Sequence, residues 1–311
     1  MRRIGLILVG LGAFLLVTAV LVKFYAYPKL AVAPKNQDSV TVLSGPGATI
    51  FDTSSLKEIT TDLTTKVRTI GDVEEADKEG NNVVIWYSKS STKSSDGIVR
   101  SRSTDKVAFD ATSGEAVNCC GEYVETDEGD PQAMEHKGLL VKFPFNTQKQ
   151  TYDWWDDNIY QAVPIKFIGT DTVEGLNLYK FQHTIEPTET STIDLPLSLL
   201  GEPGDATVTA QQMYSNVRTL WVEPETGVII KRTEEQNNTI AYNGEDKITT
   251  TKVTTGYDDK TIKENADKYG PLGSGLKLAR TTLPLLFGIL GLLALIGGVL
   301  LTRRQGAAES A

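Results

Sequence analysis

Two apolar blocks, Ile4–Val22 and Leu283–Leu301, constrain this chain more than any other feature; each runs 19 residues without a charged side chain. At about 1.5 Å per residue, a helix of that length covers roughly 28 Å, close to a bilayer's hydrocarbon thickness. That rules out a soluble cytoplasmic enzyme. Between the blocks lie residues 23–282, enough for one large domain or two small ones. The tails hold Arg2, Arg3, Arg303, Arg304 and Glu309, a net +3, so the −9 of the 311-residue chain leaves −12 on the middle. An acidic middle argues against nucleic acid as a partner, because phosphate binding needs a basic surface. Two Cys and two His in the whole chain argue against a dedicated zinc site, and no cofactor is expected.

Both blocks read as retained transmembrane helices, 4–22 and 283–301. A basic start and Ala31-Val32-Ala33 suggest a cleaved signal peptide instead. Yet a secretory apolar core runs about 7–15 residues, and here the Ala-x-Ala lies beyond Lys23 and Lys29 with Pro34 directly after it. Tyr25 and Tyr27 suit the headgroup layer, and the basic ends place residues 1–3 and 302–311 in the cytoplasm. The expectation is a two-pass cell-membrane protein with residues 23–282 outside. Ala294 and Gly298 form a small-xxx-small pair, with Gly10, Gly12 and Ala13 as natural partners on the first helix. The general abundance of Gly in membrane helices accounts for these residues equally well.

The middle reads as mainly antiparallel β. Runs rich in Val, Ile, Thr, Tyr and Phe alternate with Gly, Asn, Asp and Ser clusters: Val83–Tyr87, Val107–Phe109, Leu139–Phe145, Val163–Ile168, Leu176–Phe181, Val217–Val222 and Val228–Ile230. Thr-dense stretches at 60–69 and 249–255 suit exposed strand faces. The β-rich domain spans 23–257, with two similar modules at about 40–130 and 139–257. Asp258–Tyr269 is the best helix candidate, with Gly270-Pro271 as its stop and a stalk to residue 282. A repeat supports two modules: Val107–Val117 resembles Leu220–Ile230 at a constant offset of 113, each with an acidic residue and a turn closing on Ser/Thr-Gly. Val67–Gly71 likewise echoes Ile165–Gly169. Chance recurrence of such hairpins is the competing explanation.

Cys119 and Cys120 are adjacent, and an oxidising compartment favours a disulfide between them that shapes a turn; a redox or metal role is the alternative. Asp153–Asp157 sets Trp154 and Trp155 among three carboxylates without the ligand spacing of a calcium loop. Adjacent strand residues point to opposite faces, so one Trp packs inward while the other is a candidate surface aromatic for sugar or headgroups. His136 and His183 are isolated, Glu122 and Glu125 define no glycosidase dyad without a known separation, and no nucleophile or metalloprotease motif occurs. The chain is read as a non-enzyme.

The hairpin Thr219–Thr233, with Trp221 before Glu-Pro-Glu-Thr-Gly, resembles one in LolA-like lipoprotein carriers, which curve an antiparallel sheet around an acyl-chain cavity. A broader resemblance rests on Tyr25-Ala-Tyr-Pro-Lys-Leu30, Val117-Asn-Cys-Cys-Gly121, Lys142-Phe-Pro-Phe145 with Tyr152-Asp-Trp-Trp-Asp156, and Val222-Glu-Pro-Glu-Thr-Gly227, between two terminal spans. This pattern resembles the PorA-type family of two-span envelope proteins from high-GC Gram-positive bacteria. The resemblance implies an envelope location and a porin label, and it carries over no catalytic residues.

Three functions follow as expectations. The first is an ectodomain that binds or passes lipid-like molecules, with Trp86, Phe143, Phe145, Phe181 and Trp221 lining an apolar concavity. The second is a porin, as the family label implies. The third is a structural module that scaffolds other envelope proteins. A β-barrel crossing the bilayer is disfavoured, because Ile98–Phe109 puts charge on both faces. Membrane lipid is the expected partner; oligomeric state is open. A two-sheet sandwich is the competing fold, and it would leave no cavity.

Overall fold

The computed structural model describes residues 2–80, 82–126 and 129–306; Asp127, Glu128 and the tail from residue 307 lie outside the described residues. The chain divides into two compact units, Met1–Val32 with Pro271–Ala311, and Ala33–Gly270. Its helices are α1 (Arg2–Leu21), α2 (Tyr27–Leu30), α3 (Val73–Glu79), α4 (Asp259–Lys277) and α5 (Leu283–Gly306). Its strands are β1 (Asp38–Asp52), β2 (Lys57–Gly71), β3 (Val83–Ser94), β4 (Val99–Asp110), β5 (Tyr123–Thr126), β6 (Gln132–Ala133), β7 (Tyr152–Asp156), β8 (Gln161–Val173), β9 (Leu176–Pro196), β10 (Thr207–Val222), β11 (Ile229–Tyr242) and β12 (Glu245–Tyr257).

In the helical unit both terminal helices are long and apolar enough to cross a membrane, and Ile7, Phe14, Leu285 and Leu293 stay exposed, as lipid-facing side chains would. The two helices touch through glycine. A Cβ on Gly12 would stand 2.7 Å from the Gly291 carbonyl oxygen, and one on Gly298 2.7 Å from that of Gly5. Of the contact residues expected from sequence, Gly12 and Gly298 are therefore in the interface. Gly10 faces open space, Ala13 is exposed and Ala294 is half-buried. Close backbone approach needs a missing side chain on the facing stripe, and Gly5 and Gly291 complete that stripe.

Helix α4 does not stop at Gly270-Pro271. It keeps Pro271 inside and runs through a π-helical turn, Leu278–Thr282, into α5. Gly270 serves close packing: a Cβ there would lie 2.8 Å from Leu176. The short helix α3 has no apolar periodicity to announce it; Asp72 caps it by accepting from the Glu75 N–H at 2.9 Å.

The second unit holds one antiparallel twelve-stranded sheet in the order β6-β5-β4-β3-β2-β1-β12-β11-β10-β9-β8-β7. Two six-strand meanders lie side by side and join where β1 pairs β12. This is a single sheet, not a sandwich. Strand β2 shows its logic: Ile59, Thr61, Leu63, Thr65, Val67 and Thr69 are partly or fully buried, while Thr60, Asp62, Thr64, Lys66 and Arg68 are exposed. The sheet is strongly curled. Asp156 on β7 and Arg218 on β10 are three strand spacings apart, roughly 14 Å in a flat sheet, yet their side chains meet at 3.1 Å. Single bridges Phe109–Ala116, Glu115–Leu139 and Leu139–Trp154 link β4 to β7 and close the sheet into a ring at that level.

Leu139–Phe145, expected as a strand, is instead an irregular segment that stitches the two meanders together. Leu140 N–H donates to Gly114 (3.4 Å), Phe143 N–H to Gly227 (2.8 Å), Phe145 N–H to Thr112 (3.1 Å) and Thr147 N–H to Pro224 (2.7 Å). It thus binds both hairpin turns of the sequence echo. Those turns share one pattern: Asp110 accepts from the N–H groups of Thr112 and Ser113, and Glu223 from those of Glu225 and Thr226. Gly114 and Gly227 each donate back four residues at 2.9 Å. The other echo falls on β2 and β8, in each meander two strands before its turn.

Candidate functional site

The inner face of the curled sheet changes character along its length. Near the stitched turns it is apolar: Leu139, Phe143, Trp154, Ile165, Phe181, Leu220, Val222 and Ile229 form one packed cluster. Phe143 lies 4.5 Å from Phe181 and 5.3 Å from Trp154, ring centre to ring centre. A second cluster joins Val84, Trp86, Val107, Phe109, Leu140 and Trp155.

Further along, the same face turns polar. Across β2–β4, Thr65 and Thr92 hydroxyls pair at 2.8 Å and Ser90 and Ser103 at 2.7 Å. Across β10 and β11, Arg218 meets Glu234 at 2.5 Å, and Arg232 also binds Glu234. Asn216 donates to Tyr214 (3.0 Å) and to Glu234 (3.3 Å), and Tyr214 donates to Asp156 (3.3 Å). Burial opposes ionisation of Glu234, but Arg218 and Arg232 outweigh it and hold the carboxyl down to about 2. His183, opposite Arg218 on β9, has its pKa lowered to about 4 by burial and by that guanidinium, and among the described residues neither of its ring nitrogens has a hydrogen-bond partner. Arg100 spans from β4 to Asp52 at the end of β1, 2.9 Å away. Among the described residues these groups turn the inner face polar, with its charges held in ion pairs.

The aromatic residues expected to line one acyl cavity are divided among packing roles. Trp86 belongs to one cluster, and Phe143 and Phe181 to the other. Phe145 is half-buried beneath the Lys142 ammonium, 4.1 Å from its ring. Trp221 sits on the opposite face of β10, against Ile262 and Ala266 of α4, and its indole donates to Asp171 at 2.9 Å. They share no concavity.

Trp154 and Trp155 do point to opposite faces, but both are 4% exposed, so neither is a surface aromatic. Strand β7 lies where the sheet closes on itself, and both its faces are covered. Cys119 and Cys120 are joined by a disulfide, inside a turn where Asn118, Cys120 and Gly121 all take positive φ. The isolated His136 is fully buried, between Glu122 and Asp105.

Sequence reading missed the Arg218–Glu234 network. Counting back from the Glu-Pro-Glu-Thr-Gly turn puts Arg218 opposite Thr233, and only the bulge between Trp221 and Val222 shifts Glu234 into that place.

A family model described as Porin PorA matches residues 4–300. The chain is 25% identical over an alignment of 379 residues to Porin PorA of Corynebacterium amycolatum, covering 96% of this chain and 97% of that protein. It is 24% identical over 236 residues to Porin PorA of Corynebacterium resistens, covering 55% and 57%. With two terminal apolar helices around one antiparallel sheet, and a match over nearly its whole length, the chain belongs to the Porin PorA family.

Proposed function

We propose that this chain is a membrane-anchored, non-catalytic envelope protein of the porin type, whose sheet takes small hydrophilic solutes and not acyl chains. The observation that carries this reading is the inner face of β2–β4 and β9–β11, where hydroxyls, amides and buried ion pairs replace the continuous apolar lining that an acyl chain needs. The aromatic residues that would favour a lipid are consumed in packing. The relatives' name, Porin PorA, points the same way.

The sheet itself does not enter lipid in this reading. Its outer positions carry Asp62, Lys66 and Arg68, all exposed, and charge on a lipid-facing strand costs about 2–4 kcal/mol per Lys or Arg at mid-bilayer. Helices α1 and α5 anchor the chain with both termini in the cytoplasm, and a conducting path forms between copies. The acidic middle favours cations over anions in that path.

Planar-bilayer recording of the full chain in detergent tests this directly. Stepwise, cation-preferring conductance is expected, with no acyl lipid retained after exhaustive detergent exchange. A folded protein that stays silent at every concentration, and holds one acyl lipid per chain by mass spectrometry, would instead establish a lipid carrier. Labelling of single engineered cysteines at residues 2 and 305 in intact cells checks the topology; reaction with an impermeant reagent at either end would refute it.

A further inference from the structure

The seam where the sheet closes holds a group of side chains that neither packing nor the porin reading uses. Asp105 comes from β4, His136 from the segment after β6, and Asp157 directly follows β7. One donor atom from each, a carboxylate oxygen or an imidazole nitrogen, lies within 4.8 Å of the other two. His136 is fully buried against Trp155, ring centroids 5.0 Å apart. Its Nδ1 is held by the carboxylate of Glu122. Its Nε2 and Oδ1 of Asp105 form an ion pair at 3.3 Å, and among the described residues neither atom makes a hydrogen bond.

We propose that Asp105, His136 and Asp157 form a binding site for one divalent transition cation, with zinc the best fit, that clamps the closing seam of the sheet. Three arguments carry this. A carboxylate on Nδ1 fixes the imidazole so that Nε2 presents its lone pair, as metal-binding histidines are oriented by their outer partners. An N–O separation of 3.3 Å is the edge of a tetrahedron with bonds of about 2.0 Å, the length of zinc bonds to His and Asp. Nε2 and Oδ1 face each other as an ion pair that makes no hydrogen bond, and a cation between them would replace it with two coordinate bonds. One nitrogen and two oxygens suit zinc better than calcium, which takes six to eight oxygens. Asp157 is exposed, giving the ion a way in from solvent. The scarcity of His and Cys hides such a site from sequence, because two of its three ligands are carboxylates.

The competing account is an imidazolium bridging the acids, with no metal. The test uses the full chain in detergent without reductant, so that Cys119 and Cys120 stay bonded and offer no thiolate. Chelator-stripped protein is titrated with zinc, then with magnesium and calcium, while melting temperature and bound metal are measured. One zinc per chain, a melting temperature raised by zinc and by neither other ion, and an X-ray absorption spectrum with one nitrogen and two carboxylate ligands are expected. Asp157→Asn, at an exposed position that should not impair folding, should weaken zinc at least tenfold and abolish the thermal gain. His136→Gln should abolish both, with circular dichroism reporting whether it folds. Folded wild-type protein that retains no zinc and melts unchanged overturns the proposal. So does an Asp157→Asn chain that responds to zinc like the wild type.

Discussion

Arg218 and Glu234 face each other directly across β10 and β11, both almost fully buried, with Asp156 of β7 closing on the same guanidinium from across the curl. A charge in such a place is tolerated only while its partners remain. Arg218→Met should therefore destabilise the chain by about 3–5 kcal/mol, because it strands the buried Asp156 carboxylate and leaves Glu234 only Arg232. Combining it with Asp156→Asn and Glu234→Gln should recover most of that loss. Thermal melts of the single and triple variants check this; equal melting temperatures would show that the ion pairs do not govern the curl.

Lys142 is the opposite case, a buried ammonium whose surroundings do not compensate it. Lost solvation lowers its pKa from 10.5 to about 7, despite the attraction of Asp110. Unfolding restores the ordinary value, so between pH 7 and about 10.5 the unfolded chain binds more protons and this residue makes stability rise with pH. Below pH 7 its penalty is present in full. Lys142→Met should raise the melting temperature most at pH 6, with the gain shrinking toward pH 10. A gain that stays constant across that range would contradict this account.

Gly227 has φ +72°, and a Cβ there would stand 2.0 Å from the Phe143 carbonyl oxygen; Gly244 has φ +80° but nothing within 4 Å. The left-handed conformation alone costs a non-glycine residue about 1–2 kcal/mol. Gly244→Ala should show that cost, and Gly227→Ala clearly more, because the stitching segment must also move. Chemical denaturation of the two variants separates the contributions; equal losses would mean the segment yields freely.

The Cys119–Cys120 bond closes almost no loop, so it restricts the unfolded chain little. A Cys119→Ser/Cys120→Ser chain should lose about 1 kcal/mol or less and keep its fold. Thiols that react with alkylating reagent in native envelopes, before any reductant, would show that the bond is not the resting state.

The parts legible in sequence were those set by local chemistry. Hydrophobic length marked both long apolar helices, Thr and Val alternation marked the strands, and Asp110–Gly114 and Glu223–Gly227 marked equivalent turns. What escaped depends on closure of the sheet. Trp154 and Trp155 alternate as a strand should, but burial of both follows from β7 lying at the seam. His136 carries no motif because Asp105 and Asp157 come to it from distant parts of the sequence. Leu139–Phe145 has strand composition, yet its backbone hydrogen bonds go to two turns and not to a neighbouring ladder. Gly270-Pro271 reads as a helix stop, but close packing on Leu176 sets the glycine there.

The pairing of β1 with β12 also governs the order in which the protein can assemble. Leu43 opposite Tyr257 joins the first and the last strand of the chain, whereas each meander zips from hairpins that need only its own sequence. Closing so long a loop is slow compared with forming hairpins. During synthesis the first meander must therefore wait with β1 as a bare edge, and a bare edge invites pairing with the wrong chain. The bulge in the pairing of β1 with β2, between Gly45 and Ala48, distorts that edge until β12 arrives.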